Sequence, residues 1–525
     1  MKFSRRANLT LFILLIVLNI ILRYTISNHE IGSDSYEIHL LANSLIEFGE
    51  AKWWISPLSI IGMYPNSYAS AMPFFLSGIS LSTNKNIDSV IFLYGMIFGI
   101  FALFASYTLA GCIYDDDIFK FFVAFSFSTS QGILTYTTST APARSLFIVL
   151  LPLFLFALMK YKQKYLYFGL ITAILTLLLL ATHHLVFYLI PIFAGYSIVY
   201  FIHYSCKYIK FSSDKRLYPY ILFFALVLTI LFPFLTNKFI MGGSKWTVIQ
   251  IMLNEYPRYF GIPSLLIIGG LISLIFKKDK RKEEFILVVI IILLTIFIFN
   301  PMYMKWFILI FFSLLAGYGF LNLIKQFKIN KTYIKYIIVF IFILSITFSE
   351  YFQNLHEYIE ISGTKRYIEH DEYLSSLWIK EHLKGNLISN DLWKIWHIAP
   401  NSGVPFIIDS AVNDQIHGFT DVKEYELNEN AITSEEYWLN SPYYRVKGVT
   451  AHEIWKQIME HSIYDESTST LIKKFNFTYV VQNQNIQDYS AFSKHGYINS
   501  VFMKSIYVEK NSIYDDGDVN ILSLI

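Results

Sequence analysis

The chain has 525 residues, of which 54% are hydrophobic, 18% aromatic and only 15% charged, with a formal net charge of +3. A soluble globular protein carries about 25% charged residues, so this composition excludes an ordinary soluble domain, and the small net charge argues for no nucleic acid as partner. Two cysteines, Cys112 and Cys206, lie in or beside apolar segments; they form no disulfide framework or zinc pattern and read as small core residues.

Apolar runs long enough to span a bilayer make the chain an α-helical polytopic membrane protein. About eleven transmembrane helices are expected, near Asn8–Ile26, Val90–Ile113, Phe119–Tyr136, Ser145–Met159, Tyr165–Ala181, Leu185–Tyr204, Leu217–Phe234, Tyr259–Phe276, Phe285–Phe299, Trp306–Leu323 and Tyr336–Phe348. The first has the basic start and apolar core of a signal peptide. Its apolar run is too long for one, and no small-residue cleavage site follows, so it reads as a retained span.

Orientation follows from basic residues. With Lys2, Arg5 and Arg6 in the cytoplasm, alternate loops inside carry Lys160, Lys162 and Lys164; Lys207, Lys210, Lys215 and Arg216; Lys277, Lys278, Lys280, Arg281 and Lys282; and Lys325, Lys328, Lys331 and Lys335. Asp115-Asp116-Asp117 is discordant. It invites a metal or nucleotide-sugar reading, but a solvated inside turn is preferred. Outside lie the loop Ser27–Ser89, the short loop Thr137–Arg144, the His183-His184 corner, the loop Thr236–Arg258 and the turn Asn300–Lys305. Pro57–Ser82, interrupted by prolines, reads as broken amphipathic helices on the membrane surface or as an extra pair of spans.

Two regions follow: a transmembrane module over residues 1–350, with the long first outer loop 27–89, and an extracytoplasmic α/β domain over 351–525. In the tail, Asp371–Lys384 is helical and stops at Gly385-Asn386. Leu387–Ser389, Val404–Ile408 and Tyr479–Val481 read as strands. Thr433 with Glu436, and Thr450 with Glu453, have capping-box spacing. A prokaryotic plasma membrane is the expected compartment, with the endoplasmic reticulum second. Asn476-Phe-Thr478 is a glycosylation sequon on the outer side.

The candidate chemistry gathers outside. Asp34, in Ile31-Gly-Ser-Asp-Ser-Tyr-Glu-Ile-His-Leu40, stands just beyond the first span, where a carboxylate can take the proton of an attacking hydroxyl; otherwise it is a solvated loop residue. Glu37 and His39 lie nearly on its helical side, as supporting partners or as interface residues. Arg144 either snorkels to headgroups or binds a lipid phosphate. Lys305 raises the same choice and leans towards snorkelling. Lys245 and Arg258 are further candidates for phosphate neutralisation. His183 and His184, at the outer end of a span, could contact a sugar or lipid phosphate; adjacent positions on a helix would not form a two-ligand metal pair. No zinc motif, P-loop, dinucleotide fingerprint or nucleophile elbow is present.

A short cytoplasmic start, one span and a long outer loop opening with an Asp resemble the GT-C superfamily of integral-membrane glycosyltransferases. Gly32-Ser-Asp-Ser-Tyr-Glu-Ile-His-Leu-Leu-Ala-Asn43 is similar to the first acidic motif of its oligosaccharyltransferase group. The loop ending at Arg144, and Lys305-Trp-Phe leading to Ala316-Gly-Tyr-Gly319, resemble parts of the shared membrane module. Leu387-Ile-Ser-Asn-Asp-Leu-Trp-Lys-Ile-Trp-His397 resembles the place where that group carries Trp-Trp-Asp-Tyr-Gly; here Trp393-Lys-Ile-Trp396 stands instead. The spacing from Asp34 to His39 is one residue longer than the family pattern, and the second outer loop has no carboxylate. The resemblance thus implies no certain cofactor. A divalent metal stays open, and a metal-independent reaction on a lipid-phosphate sugar fits the departures better.

The resemblance and the topology together imply transfer of a sugar from a polyprenyl-phosphate-linked donor, with Asp34 as base and inversion at the anomeric carbon. The partners would be that donor, membrane lipid and a glycan, lipid or protein acceptor. Trp393, Trp396 and His397 would offer an acceptor surface, or the tryptophans pack in the core. A transporter or flippase of lipid-linked sugars is the alternative, although no repeat is visible and midplane charge is scarce. A scaffold anchored by its spans is a third reading.

Overall fold

The computed structural model describes residues 2–24, 29–63, 67–161, 164–208, 217–240, 244–326, 367–408, 411–419, 426–427, 446–447, 451–484, 500–507 and 510–524, with isolated positions at 333, 337 and 340. Fifteen helices occupy the described part of the membrane module: α1 Arg5–Arg23, α2 Ser33–Phe48, α3 Ala71–Thr83, α4 Ile87–Ile113, α5 Asp117–Ser128, α6 Gln131–Thr137, α7 Ala143–Lys160, α8 Tyr165–Leu180, α9 Leu189–Tyr208, α10 Tyr218–Thr236, α11 Lys245–Phe260, α12 Ile267–Phe276, α13 Lys282–Leu294, α14 Pro301–Phe307 and α15 Leu309–Gln326. Six helices among the described residues are long and apolar enough to cross a membrane, or up to seven if one bent pair counts as a span.

The difference from eleven has physical causes. The expected span Phe119–Tyr136 is broken into α5 and α6 at Thr129-Ser130. Tyr259–Phe276 is bent by 114° where α11 meets the helix that follows. The bend falls at Gly261, whose φ of 86° favours glycine, just before Pro263. The expected Tyr165–Ala181 span is a 16-residue helix, short of a full crossing. Tyr336–Phe348 falls outside the described residues except at isolated positions. The outer segment Pro57–Ser82 supplies a short 3-10 helix at Pro57–Ile60 and α3.

Close helix packing rests on small residues. A methyl group added at Gly270 of α12 would overlap the Leu315 carbonyl of α15, and one at Gly319 of α15 would overlap the Leu266 carbonyl. Gly99 of α4 leaves the room that the Arg23 side chain fills. Arg23 is buried at the end of α1 and donates to Asn19 Oδ1 at 2.7 Å, the Ser128 carbonyl at 3.0 Å and Thr137 Oγ1 at 3.0 Å. The buried guanidinium thus fastens α1 to the last residue of α5 and the last residue of α6.

The triple Asp at the opposite end is not simply a solvated turn. Asp115 is exposed and pairs with Lys2 at 2.5 Å, but Asp116 and Asp117 are buried. Asp116 accepts from the Ile118 and Phe119 amides and caps α5, while Asp117 accepts from the Phe3 amide at 2.7 Å and pairs with Lys120 at 2.6 Å. The Lys2 ammonium bonded to Asp115 is the main cause of its carboxyl lying below the ordinary range. Two of the three aspartates therefore have structural duties, and the triplet lies against the chain's basic start.

The tail carries a four-stranded sheet: β1 Asn386–Ser389, β2 Phe477–Asn483, β3 Ser512–Asp515 and β4 Val519–Ser523, in the order β1-β2-β4-β3. β1 runs parallel to β2, with Ile388 opposite Val480; β4 is antiparallel to both β2 and β3. Helices His370–His382, Leu392–Ser402 and Ala451–Glu460 pack against it, giving the expected α/β composition. Val404–Ile408 forms only one bridge, Leu387 to Phe406, rather than a strand. β3 and β4 lie in a stretch read from sequence without strands, and the capping pair at Thr433 and Glu436 lies outside the described residues. Within the sequon, Thr478 is a buried residue of β2.

Gly270→Val should force α12 and α15 apart, because the clash is with backbone and no rotamer relieves it. The expected loss is about 1–3 kcal/mol, as for overpacked cores. A melting temperature in detergent several degrees below wild type checks it, and an unchanged one contradicts the packing described.

Candidate active site

Asp34 stands in the first turn of α2, which begins after Gly32, at φ 93°. The preceding segment is fixed on several sides. The Glu30 amide donates to Asp88 Oδ1 at 2.9 Å, the Ile31 amide to the Ser139 carbonyl at 2.8 Å, and the Ala141 amide to Ser35 Oγ at 2.9 Å. Ile31 also bridges to Tyr367 of the tail. Asp34 is thereby held against the loop Thr137–Arg144 although the two are far apart in sequence.

That loop delivers Arg144 in the first turn of α7. Its Nη2 donates to Asp34 Oδ2 in a short ion pair; the Asp34 side chain keeps 41% of its surface exposed and Arg144 only 17%. The guanidinium carbon lies 4.7 Å from the Trp306 ring centroid, 5.2 Å from Tyr136 and 5.9 Å from Tyr303. An aromatic shell of this kind stabilises a cation poor in water. Lys305 approaches the other components of the same shell, at 4.9 Å from Trp306 and 4.4 Å from Tyr259, and pairs with Glu255 of α11. Arg144 and Lys305 thus lie over one indole, and Asp34 is bonded to Arg144.

The His183-His184 corner joins them through Tyr303. The His184 ring lies 4.6 Å from Tyr303 and His183 5.7 Å. The expectation that they diverge along a helix is corrected here. α8 ends at Leu180, His183 is extended, and its Nδ1 accepts from the Leu185 amide at 3.1 Å to start a 3-10 turn. Their rings consequently lie only 4.0 Å apart.

The remaining candidates separate. Lys245 donates to the Phe234 carbonyl at 2.5 Å and so closes the end of α10. Arg258 lies in the last turn of α11, the helix that also bears Glu255 and Tyr259. Glu37 is buried on α2. His39 pairs through Nδ1 with Glu30 Oε1 at 2.5 Å, and burial raises the Glu30 carboxyl above its ordinary range despite that histidine. His397 belongs to a buried triad: Glu372 bonds His397 Nδ1 at 2.9 Å and Lys394 Nζ at 2.8 Å, and the His397 ring meets Tyr36 of α2 edge-on at 5.4 Å. Trp396 packs against the tail core, and the Trp393 side chain lies outside the described residues. Sequence reasoning missed Glu30, Asp88, Glu255, Tyr136, Tyr303, Trp306 and Glu372. Only Trp306 carried a signal, as neighbour of Lys305; the others are recognised by what they touch.

Among the described residues, no three His, Cys, Asp or Glu side chains come together as a metal ligand set. Asp34 is bonded by the Arg144 cation and, among the described residues, belongs to no such ligand set, so these residues do not fit a divalent cation there and no step below runs through one.

No family model matches the chain, and no curated protein matches it in sequence. Solved structures do. The Archaeoglobus fulgidus oligosaccharyltransferase tethered with an acceptor peptide containing the NVT sequon superposes with a TM-score of 0.57 at 11% identity, over 92% of this chain and 69% of that one. The same organism's AglB in complex with an inhibitory peptide and a dolichol-phosphate gives 0.55 at 11% identity, over 92% and 70%. The mycobacterial arabinofuranosyltransferase AftD gives 0.51 at 10% identity, over 100% of this chain but 42% of that one.

Burial tends to raise Glu372, but His397 and Lys394 outweigh it and hold the carboxyl at about 2. A depressed carboxylate contributes stability above its unfolded pKa, near 4.5, and that stability is lost as pH falls towards 2. Glu372→Gln should therefore destabilise the protein at pH 7 by about 3 kcal/mol, typical of a broken buried pair. The deficit should shrink as pH is lowered through that window; a melting profile in which it is independent of pH contradicts the assignment. The structural neighbours are GT-C superfamily membrane glycosyltransferases, and the chain is similar to them in fold.

Proposed function

We propose that this protein transfers a sugar from a polyprenyl-phosphate-linked donor to an acceptor hydroxyl on the extracytoplasmic face of the plasma membrane. The observation that carries the reading is that Arg144 and Lys305 lie over the Trp306 ring of α14, with Asp34 at the start of α2 bonded to Arg144 at the start of α7. A half-exposed carboxylate beside two desolvated cations suits an attack that releases a phosphate. The fold it shares with glycosyltransferases, one of them bound to dolichol-phosphate, supports the same class of chemistry.

In the proposed reaction the acceptor oxygen attacks the anomeric carbon on the face opposite the phosphate. The new C–O bond forms as the bond to the phosphate oxygen breaks, giving inversion. The hydroxyl proton passes to Asp34, and the electron pair of the broken bond stays on the lipid phosphate, whose growing charge Arg144 and Lys305 stabilise. His183 and His184 stand against Tyr303, beside the sugar's place. The tail, held against α2 by Tyr36–His397 and by the Asn43 amide on the Pro400 carbonyl at 2.6 Å, offers the acceptor side. The donor sugar itself is set by contacts that these residues do not specify.

A deletion strain, complemented with wild type or Asp34→Asn, tests this through mass spectrometry of polyprenyl-phosphate sugars and surface glycans. Deletion should accumulate one lipid-linked sugar and remove one glycan residue, and only wild type should restore both. Asp34→Asn should insert normally and turn over about 10²–10⁴-fold more slowly. Full complementation by Asp34→Asn removes Asp34 as the base and favours a transport or scaffold role.

A further inference from the structure

Trp306 is more than a wall of the cationic shell. Its side chain is 94% buried, yet its indole Nε1–H has no hydrogen-bond partner. A buried tryptophan N–H ordinarily finds one, and native structures leave few such groups unpaired without a reason. The Arg144 Nε–H, in the guanidinium stacked on the same ring, is likewise buried and unpaired. Two orphan N–H donors therefore sit in one stack, with Lys305 Nζ 4.9 Å from the ring centroid.

These donors have a common requirement. Both lack an acceptor, and neither has an acceptor function of its own. The two cations nearby already hold one carboxylate each, Arg144 on Asp34 and Lys305 on Glu255. What the two N–H groups lack is an acceptor oxygen, and a phosphate oxygen, which accepts more than one bond, meets that need beside two cations. We propose that Trp306 is a ligand-binding residue, and that its Nε1–H, with Arg144 Nε–H, donates to a non-bridging oxygen of the donor's lipid phosphate. The cation–π contact then has a second purpose: it fixes the guanidinium so that its free edge and the indole N–H serve the same anion.

This deepens the transferase reading and rests on it, but its test does not depend on turnover. The full chain, labelled with ¹⁵N at the tryptophan indoles and held in detergent micelles, gives up to nine indole N–H signals, one for each tryptophan. The signal missing from Trp306→Phe is that of Trp306. Farnesyl phosphate is the probe and farnesol the uncharged control. The Trp306 signal should shift with the phosphate and stay in place with the alcohol. Trp306→Phe, which keeps an aromatic face for both cations, should weaken farnesyl phosphate binding about tenfold, whereas Trp306→His, which keeps a ring N–H, should weaken it less.

If Trp306→Phe does not fold, the wild-type spectra decide alone: one indole signal must respond to the phosphate and not to the alcohol. Absence of any such signal at saturating farnesyl phosphate, absence of farnesyl phosphate binding, or equal shifts with farnesol overturn the assignment. A phosphate-specific shift in a protein whose deletion leaves every glycan intact would uphold the phosphate contact while removing the transferase reading. Normal glycan transfer with an unmoved Trp306 signal would do the reverse.

Discussion

The ion pair between Asp34 and Arg144 joins the start of α2 to the start of α7 and fixes the two groups on which the candidate site depends. A guanidinium with little water around it is costly to leave without compensation. Here the compensation is divided between the Asp34 carboxylate, the Tyr136 hydroxyl at 3.5 Å and the faces of Tyr136, Tyr303 and Trp306. They come from three elements: Asp34 from α2, Tyr136 from α6, and Tyr303 and Trp306 from α14. The position of Arg144 therefore reports the relative placement of all three, and a shift in any one changes the cation's surroundings.

α2 works as a beam between the membrane module and the tail. Three histidine–carboxylate pairs lie along the junction: His29 with Asp88 at 3.1 Å, His39 with Glu30, and His397 with Glu372. His29 also stacks on Tyr373 of the tail at 4.0 Å. Paired buried groups of this kind add little net stability over apolar packing, but breaking one leaves a charge without a partner. Register against the tail comes from the contacts they border: a slip of one residue along α2 would separate Tyr36 from His397 and the Asn43 amide from the Pro400 carbonyl at once. Local environments still differ. At Glu30 desolvation dominates and favours the neutral acid; at Glu372 the bonds from His397 and Lys394 outweigh it and keep the carboxylate charged.

The sequence shows most clearly what depends on local order. Apolar length placed α1, α4, α7 and α10, and the helix read up to the stop at Gly385-Asn386 is present but ends earlier, at His382. Asp34 and Arg144 were both visible as ionisable groups at the mouths of spans, although no spacing rule joins residues 110 positions apart. Bends were harder, because a long apolar run looks the same whether straight, as in α4, or folded by 114° at Gly261. Partners were hardest. Glu255 and Tyr303 have ordinary neighbours in sequence, Trp306 was marked only by Lys305 beside it, and the close approach of α11, α14 and α7 is what gives all three a role. Asp116 and Asp117 show the opposite error: an acidic run looks solvated until its backbone amides and lysines are seen.

The pairing of Asp34 with Arg144 bears on how one carboxylate could serve as base. A guanidinium presents five N–H groups in a plane, so it can hold a carboxylate on one edge and a phosphate on another. In the proposed reaction the leaving phosphate gains negative charge as the glycosidic bond breaks, and its pull on Arg144 grows in step. The same displacement of charge loosens the Asp34 oxygen that Arg144 had bonded, at the moment the acceptor hydroxyl must surrender its proton. Lys305, balanced by Glu255 rather than by Asp34, can follow the phosphate without disturbing the base. Two separately compensated cations would thus divide the work. Arg144 couples departure of the leaving group to release of the base, and Lys305 supplies charge stabilisation alone, a division that a single cation or a pair sharing one carboxylate could not achieve.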